Sequence, residues 1–181
     1  MGFYFAFGSN MAREVFLGRR TMRSASGEPA VLDDHRLAFT EPGLIPGVEP
    51  AFANIEPAPG AQVHGVLWEL CDDEFARLLT TESPNYEPVD VTVLGGRVGR
   101  VVARALRSRR RQVECAPSRR YLALLVAGAR EHGLPAHYVA ELEARPTAYL
   151  PVVSELCEHA LVPIVSVWFA HGRPLLARLR R

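Results

Sequence analysis

The segment Phe3-Tyr4-Phe5-Ala6-Phe7 constrains this chain more than any other. It has the aromatic richness of a buried strand, and it stops on Gly8-Ser9-Asn10. Gly8 lacks the Cβ that would keep a ligand from the backbone, and it admits a positive φ. Ser9 and Asn10 are good N-caps, and Met11 to Leu17 can follow as a helix. A strand, a glycine turn and a helix start together present backbone N–H groups, a natural place for an anion or a developing oxyanion. An ordinary tight turn has the same residues, so the meaning of this stretch depends on the rest of the chain.

Strand patterns dominate the first hundred residues. Gly27 to Thr40 reads as a strand wrapping the core, and Gln62 to Leu70 as a central strand after the Pro59-Gly60 turn. Between them, Pro42, Pro46, Pro50, Pro57 and Pro59 predict a loop over 42–60, crossed by one short strand, Ala51 to Ile55. Asp72 and Asp73 open a short helix whose acidic first turn suits the helix dipole, with Phe75, Leu78 and Leu79 on its apolar face. Tyr86 to Leu94 and Arg97 to Leu106 form a hairpin about Gly95-Gly96. Helices come later. Ser118 caps one running to about His132, Gly133 stops it, and Pro135 begins another to about Ala144. Short strands around hairpins followed by gathered helices predict an α+β protein on a small closed or nearly closed sheet.

Four pieces occur in a fixed order: Phe7-Gly8-Ser9-Asn10-Met11; Val63-His64-Gly65-Val66-Leu67-Trp68-Glu69-Leu70; Glu82; and Pro117-Ser118-Arg119-Arg120-Tyr121. The last runs on into Gly128-Ala129-Arg130-Glu131-His132-Gly133-Leu134-Pro135. Together they resemble the gamma-glutamylcyclotransferase family (the gamma-glutamylcyclotransferase-like, AIG2-like fold). The resemblance covers roughly residues 3–145. It implies one domain over 1–181, built on a small mixed β-barrel with flanking helices, followed by an extension over 146–181 that we expect to be partly helical.

The resemblance also implies a chemistry. A gamma-glutamyl amide carries its own nucleophile, the α-amine, so proximity replaces a bimolecular encounter and no cofactor or metal is needed. Glu82 stands twelve residues past Leu70 and four before Tyr86, where the family places its catalytic glutamate. A single carboxylate there can take a proton from the amine and return one to the leaving group. Gly8, Ser9 and Asn10 would hold the substrate, with Phe7, Tyr86 and Tyr121 as further binding residues. Tyr121 lies in the Pro-Ser-x-x-Tyr segment that resembles the family's substrate-contacting tyrosine. Two departures bear on substrate fit: Phe7 replaces the family's usual tyrosine, and Ser83 stands where a glycine is expected. The expected products are 5-oxoproline and a free amine. Two alternatives are the same fold removing a gamma-glutamyl protecting group in specialised metabolism, and a binding module without turnover.

Composition bounds the partners. The chain has 181 residues, 48 % apolar and 23 % charged, with a net charge of +1, so nothing global favours nucleic acid or acidic membranes. All the basic residues are arginine. Cys71, Cys115 and Cys157 are widely spaced, and the six histidines share no spacing with them, which argues against a metal site. No basic segment followed by an apolar one opens the sequence, and a cytoplasmic protein is expected. Leu161 to Ala170 is too apolar to stay solvated and too short to span a bilayer. It is expected to pack across the barrel or against a second copy, which admits a homodimer.

Overall fold

The computed structural model describes residues 1–23, 27–45 and 47–149. Five strands close into a mixed barrel in the order β1-β3-β2-β4-β5. They are β1 (Gly2–Ala6), β2 (Gly27–Ile45), β3 (Glu49–Leu70), β4 (Tyr86–Gly95) and β5 (Gly99–Ser108). Helix α1 (Asp72–Thr81) links β3 to β4, and α2 (Arg119–Glu131) and α3 (Ala136–Glu143) follow the barrel. The barrel interior and the undersides of the helices share one core, in which Trp68, Phe5, Phe16, Phe39 and Met11 are among the largest fully buried side chains. Among the described residues, no helix is long and apolar enough to cross a membrane.

The α+β barrel expected from the sequence is present; the loop expected over 42–60 is not. β2 and β3 instead form a long antiparallel ribbon, in register from Gly27↔Trp68 to Ile45↔Glu49. The ribbon absorbs its prolines because no further strand among the described residues pairs with its far part. β3 meets β1 only from Val66 to Leu70, and β2 meets β4 only at Ala30 and Val31. Pro42, Pro50, Pro57 and Pro59 lie outside those stretches, where a missing N–H breaks no second ladder. Register shifts at Asp33/His35, Ala38/Glu41 and Pro42/Ile45 curl the ribbon.

The barrel is thus two ribbons joined at two short seams. One ribbon is β1-β3-β2 and the other is the β4–β5 hairpin. The hairpin pairs over ten positions and closes through Gly96-Arg97-Val98, one residue longer than the Gly95-Gly96 turn predicts, with Gly99 at φ +71°. Its backbone pairing with the other ribbon runs through Ala30↔Gly95 and Val31↔Leu94 on one side and Tyr4↔Arg104, in parallel, on the other.

The helices follow their sequence signals. α1 starts on three acids, Asp72, Asp73 and Glu74, and ends at Glu82, whose backbone is already extended at φ −94°, ψ 166°. Ser118 caps α2 by accepting the Tyr121 N–H at 3.1 Å. Gly133, at φ +65°, terminates α2, and Pro135 precedes α3. The helix expected after Asn10 is different in kind. A 3₁₀ turn covers Ser9–Met11, and a π-helical stretch covers Glu14–Arg19. That stretch closes with the Arg20 N–H on the Val15 carbonyl, five residues back. Of the C-terminal extension, residues 150–181 lie outside the described residues, with Cys157 and the apolar segment Leu161 to Ala170.

Candidate active site

The end of β1, the start of β4 and the end of β5 meet at one mouth of the barrel, since β1 and β5 run parallel and β4 antiparallel to β5. β1 delivers Phe7 to Asn10 to this mouth, and α1 delivers Glu82 on its way to β4. Seventy-two residues apart in sequence, Asn10 and Glu82 touch: Asn10 Nδ2 donates to Glu82 Oε1 at 2.8 Å. Both are buried, at 6 % and 8 % exposure. Asn10 Nδ2 also donates to the Tyr4 hydroxyl oxygen at 2.9 Å. The Asn10 side chain therefore holds Glu82 and Tyr4, where the sequence suggests a helix cap.

Arg20 completes the group. Its Nη2 lies 3.1 Å from Glu82 Oε1, and its Nε donates to Asn10 Oδ1 at 2.6 Å. Its Nη1 donates to the Thr81 carbonyl and the Thr81 hydroxyl, both at 2.7 Å. A carboxylate with so little water contact is costly unless paired, and the guanidinium offsets that cost. Below this layer, Trp68 Nε1 donates to the Asn10 carbonyl at 3.1 Å, and Trp68 stacks on Phe16 at 4.5 Å between ring centroids.

A tyrosine pair lines the other side. The Tyr121 hydroxyl accepts from the Ala53 N–H at 3.2 Å, and the Tyr86 hydroxyl donates to the Ala53 carbonyl at 2.5 Å. One β3 residue therefore anchors both tyrosines through its main chain. Burial pushes the Tyr121 phenol up to about 12, against the backbone hydrogen bonds at Ala53 and Ser9, with Glu82 nearby raising it further. Burial and then Tyr121 and Glu82 raise Tyr86 well above the usual phenol range. Burial, followed by Glu82, also raises Tyr4. All three are neutral phenols at physiological pH, and Glu82 bears on each of them electrostatically.

Gly8 has a spatial role rather than a conformational one. Its φ is −110°, so the positive φ that a glycine admits is not used here. A β-carbon there would lie 3.0 Å from the Tyr121 hydroxyl and 3.4 Å from the Ala53 side chain. Ser9 opens the 3₁₀ turn, whose Gly8 and Ser9 carbonyls accept from Met11 and Ala12 at 3.0 and 3.1 Å. The N–H groups at the head of such a turn have no partner within it. Phe7 is buried at 5 % exposure in the core beside Phe5.

Just beyond Glu82, the loop from Ser83 to Asn85 is fastened to a second buried carboxylate. Glu41, fully buried, accepts from Ser83 Oγ at 2.7 Å and Asn85 Nδ2 at 3.1 Å, and from the Ser108 hydroxyl. Sequence reasoning finds Glu82, Asn10, Gly8 and Tyr121 but misses Tyr4, Arg20, Glu41 and Ala53. Tyr4 has a signal, as the one hydroxyl among the aromatics of β1. The other three lie in segments with no motif.

The sequence and the fold are similar to those of known proteins. The AIG2-like family matches residues 62–142. A gamma-glutamylcyclotransferase of Bos taurus is 31 % identical over 164 residues, covering 86 % of this chain and 85 % of that protein. The gamma-glutamyl cyclotransferase gliK of Claviceps purpurea (strain 20.1) is 30 % identical over 157 residues, covering 75 % of this chain and 66 % of gliK. A solved structure of a gamma-glutamyl cyclotransferase superposes with a TM-score of 0.71 at 26 % identity, covering 83 % of this chain and 90 % of its own. With the shared barrel and an identity that extends over most of both chains, this chain belongs to the gamma-glutamylcyclotransferase family and is an enzyme of that family.

Proposed function

We propose that this enzyme cyclises gamma-glutamyl amides, releasing 5-oxoproline and a free amine or amino acid, with Glu82 as general base and then general acid. The observation that carries this reading is the buried Asn10–Glu82 contact at 2.8 Å, which sets a carboxylate against the β1 loop. The α-nitrogen bonds to the γ-carbonyl carbon and closes a five-membered ring, and the bond to the departing nitrogen breaks. Of the two protons the attacking ammonium sheds, one completes the departing amine, and the other leaves as its ammonium proton or passes to solvent. Glu82 takes the first from the substrate and returns it to the leaving nitrogen. The N–H groups of Gly8, Ser9 and Asn10 polarise the γ-carbonyl. Tyr121 and Tyr86, as neutral phenols, orient the glutamyl part, and Phe7 forms an apolar wall. Holding amine and carbonyl in register supplies much of the acceleration.

Replacing Glu82 by glutamine keeps size and polarity while removing the base. Turnover, followed as 5-oxoproline release from a panel of gamma-glutamyl amino acids and amines, should fall by about 10²–10⁴-fold. KM should change little, because the β1 loop still holds the glutamyl moiety. A Glu82→Gln enzyme with the parent's turnover would place the base elsewhere. The same panel identifies the preferred amine.

A further inference from the structure

Resting on the reading of Glu82 as the base, we infer that Arg20 is its positioning residue, acting on Glu82 directly and through the Asn10 amide. A guanidinium has five N–H donors. Arg20 directs three hydrogen bonds and an ion pair at its own protein: Nε to Asn10 Oδ1, Nη1 to the Thr81 carbonyl and hydroxyl, and Nη2 to Glu82 Oε1. With four of five donors committed, its task is to hold the protein rather than the substrate. Its side chain is 18 % exposed and that of Glu82 10 %, so water competes weakly for the pair.

The anchor point matters as much as the pairing. Thr81 is the last residue of α1 and Glu82 its C-cap, so Arg20 binds one of the terminal carbonyls that the helix leaves unsatisfied. The Thr81 hydroxyl donates to the Leu78 carbonyl at 2.8 Å and accepts from Arg20, so its donor and acceptor roles agree. Arg20 thereby fixes the backbone immediately before Glu82 as well as its carboxylate.

The third action goes through Asn10. Because Arg20 Nε–H faces one end of the Asn10 amide, that end must be the oxygen, and the NH₂ must turn to Glu82 Oε1 and the Tyr4 oxygen. A flipped amide would oppose donor to donor at Arg20 and oxygen to carboxylate at Glu82. Removing the guanidinium frees the amide, takes a cation away from the buried Glu82 carboxylate and loosens the end of α1. No sequence motif marks Arg20; the π-helical stretch that ends at Arg19 delivers it.

The test is a double-mutant cycle on 5-oxoproline release. Misplacing a catalytic group by about 1 Å costs on the order of 10²-fold, so Arg20→Gln should lower kcat by about that factor with KM within a few-fold. Arg20→Lys should recover part of the loss, since an ammonium can reach one or two of the four acceptors. Arg20→Gln should add nothing to the loss already caused by Glu82→Gln, because both act on the same carboxylate. Independent, multiplicative losses would overturn the inference, as would an Arg20→Gln enzyme with the parent's kcat. A raised KM at unchanged kcat would overturn it too, making Arg20 a ligand for the substrate carboxylate. Should Arg20→Gln fail to fold, Thr81→Val removes one anchor. Its smaller kcat loss must likewise vanish in the Glu82→Gln background, and a loss that persists there refutes the inference. Failure of the Glu82 reading looks different, because Glu82→Gln alone would then retain activity.

Discussion

Gly8 shows how little space separates the β1 loop from the tyrosine that faces it. An added methyl would meet the Tyr121 hydroxyl at 3.0 Å, so Gly8→Ala must push that hydroxyl aside by a few tenths of an ångström. The φ of −110° is outside the left-handed region, so φ alone does not bar alanine here. Such a shift is well short of the ~1 Å that costs about 10²-fold, and kcat/KM should fall by about tenfold or less. Gly8→Ala combined with Tyr121→Phe should be no slower than Tyr121→Phe alone, since removing the hydroxyl relieves the crowding. A multiplicative loss in the double variant would remove the steric explanation. The sequence makes the missing Cβ of Gly8 legible but not its neighbour: the motif points to a ligand near the backbone, whereas the group in contact is the Tyr121 hydroxyl, far away in the chain. Arg20 and Ala53 are illegible for a related reason. Each acts through a partner that only the folded chain brings near, and Ala53 acts with main-chain atoms that every residue possesses.

Among the elements, α2 is the one that backs the β1 loop. Gly128 makes this approach possible, since a β-carbon there would lie 2.5 Å from the Ala12 nitrogen and 2.7 Å from the Met11 carbonyl carbon. Backbone cannot swing away as a side chain can, so Gly128→Ala must lift α2 off the 3₁₀ turn. Overpacking of this kind costs about 1–3 kcal/mol, and the urea midpoint should drop accordingly. Activity should fall with it even where the enzyme is fully folded, because Ser9 and Asn10 ride on that turn. An unchanged midpoint would show that the helix and turn are not in fixed contact. At this scale, elements with local signals are legible, including α1 with its acidic start, Ser118 as the cap of α2, and the β4–β5 hairpin. The β2–β3 ribbon is not, because five prolines suggest a loop until its far part is known to pair with no third strand among the described residues.

At the scale of the whole molecule, the titrating groups bound a pH range. Tyr121 is held up to about 12 in the folded state, above the ordinary phenol value of about 10, so folding tightens its proton. Its share of the stability is whole below pH about 10 and is lost as pH rises toward 12. Burial, joined by His137, lowers His64, and burial lowers His132 against the pull of Glu131. Folding therefore favours their neutral forms, and that share is whole above pH about 6.5 and is lost as pH falls through the depressed values. Urea midpoints should form a plateau between roughly pH 6.5 and 10 and decline on both sides. A decline beginning near neutrality on the alkaline side would contradict the tyrosine assignment.

The two ribbons joined at short seams give the site a mechanical character. Asn10 follows β1 of the β1-β3-β2 ribbon, whereas Glu82 stands between α1 and the β4–β5 hairpin. Their hydrogen bond therefore fastens one half of the barrel to the other, beside a seam that runs through Tyr4↔Arg104. The Asn10–Glu82 hydrogen bond is a clasp at the mouth of the barrel, set where the backbone ladder joins β1 to β5 at a single pair.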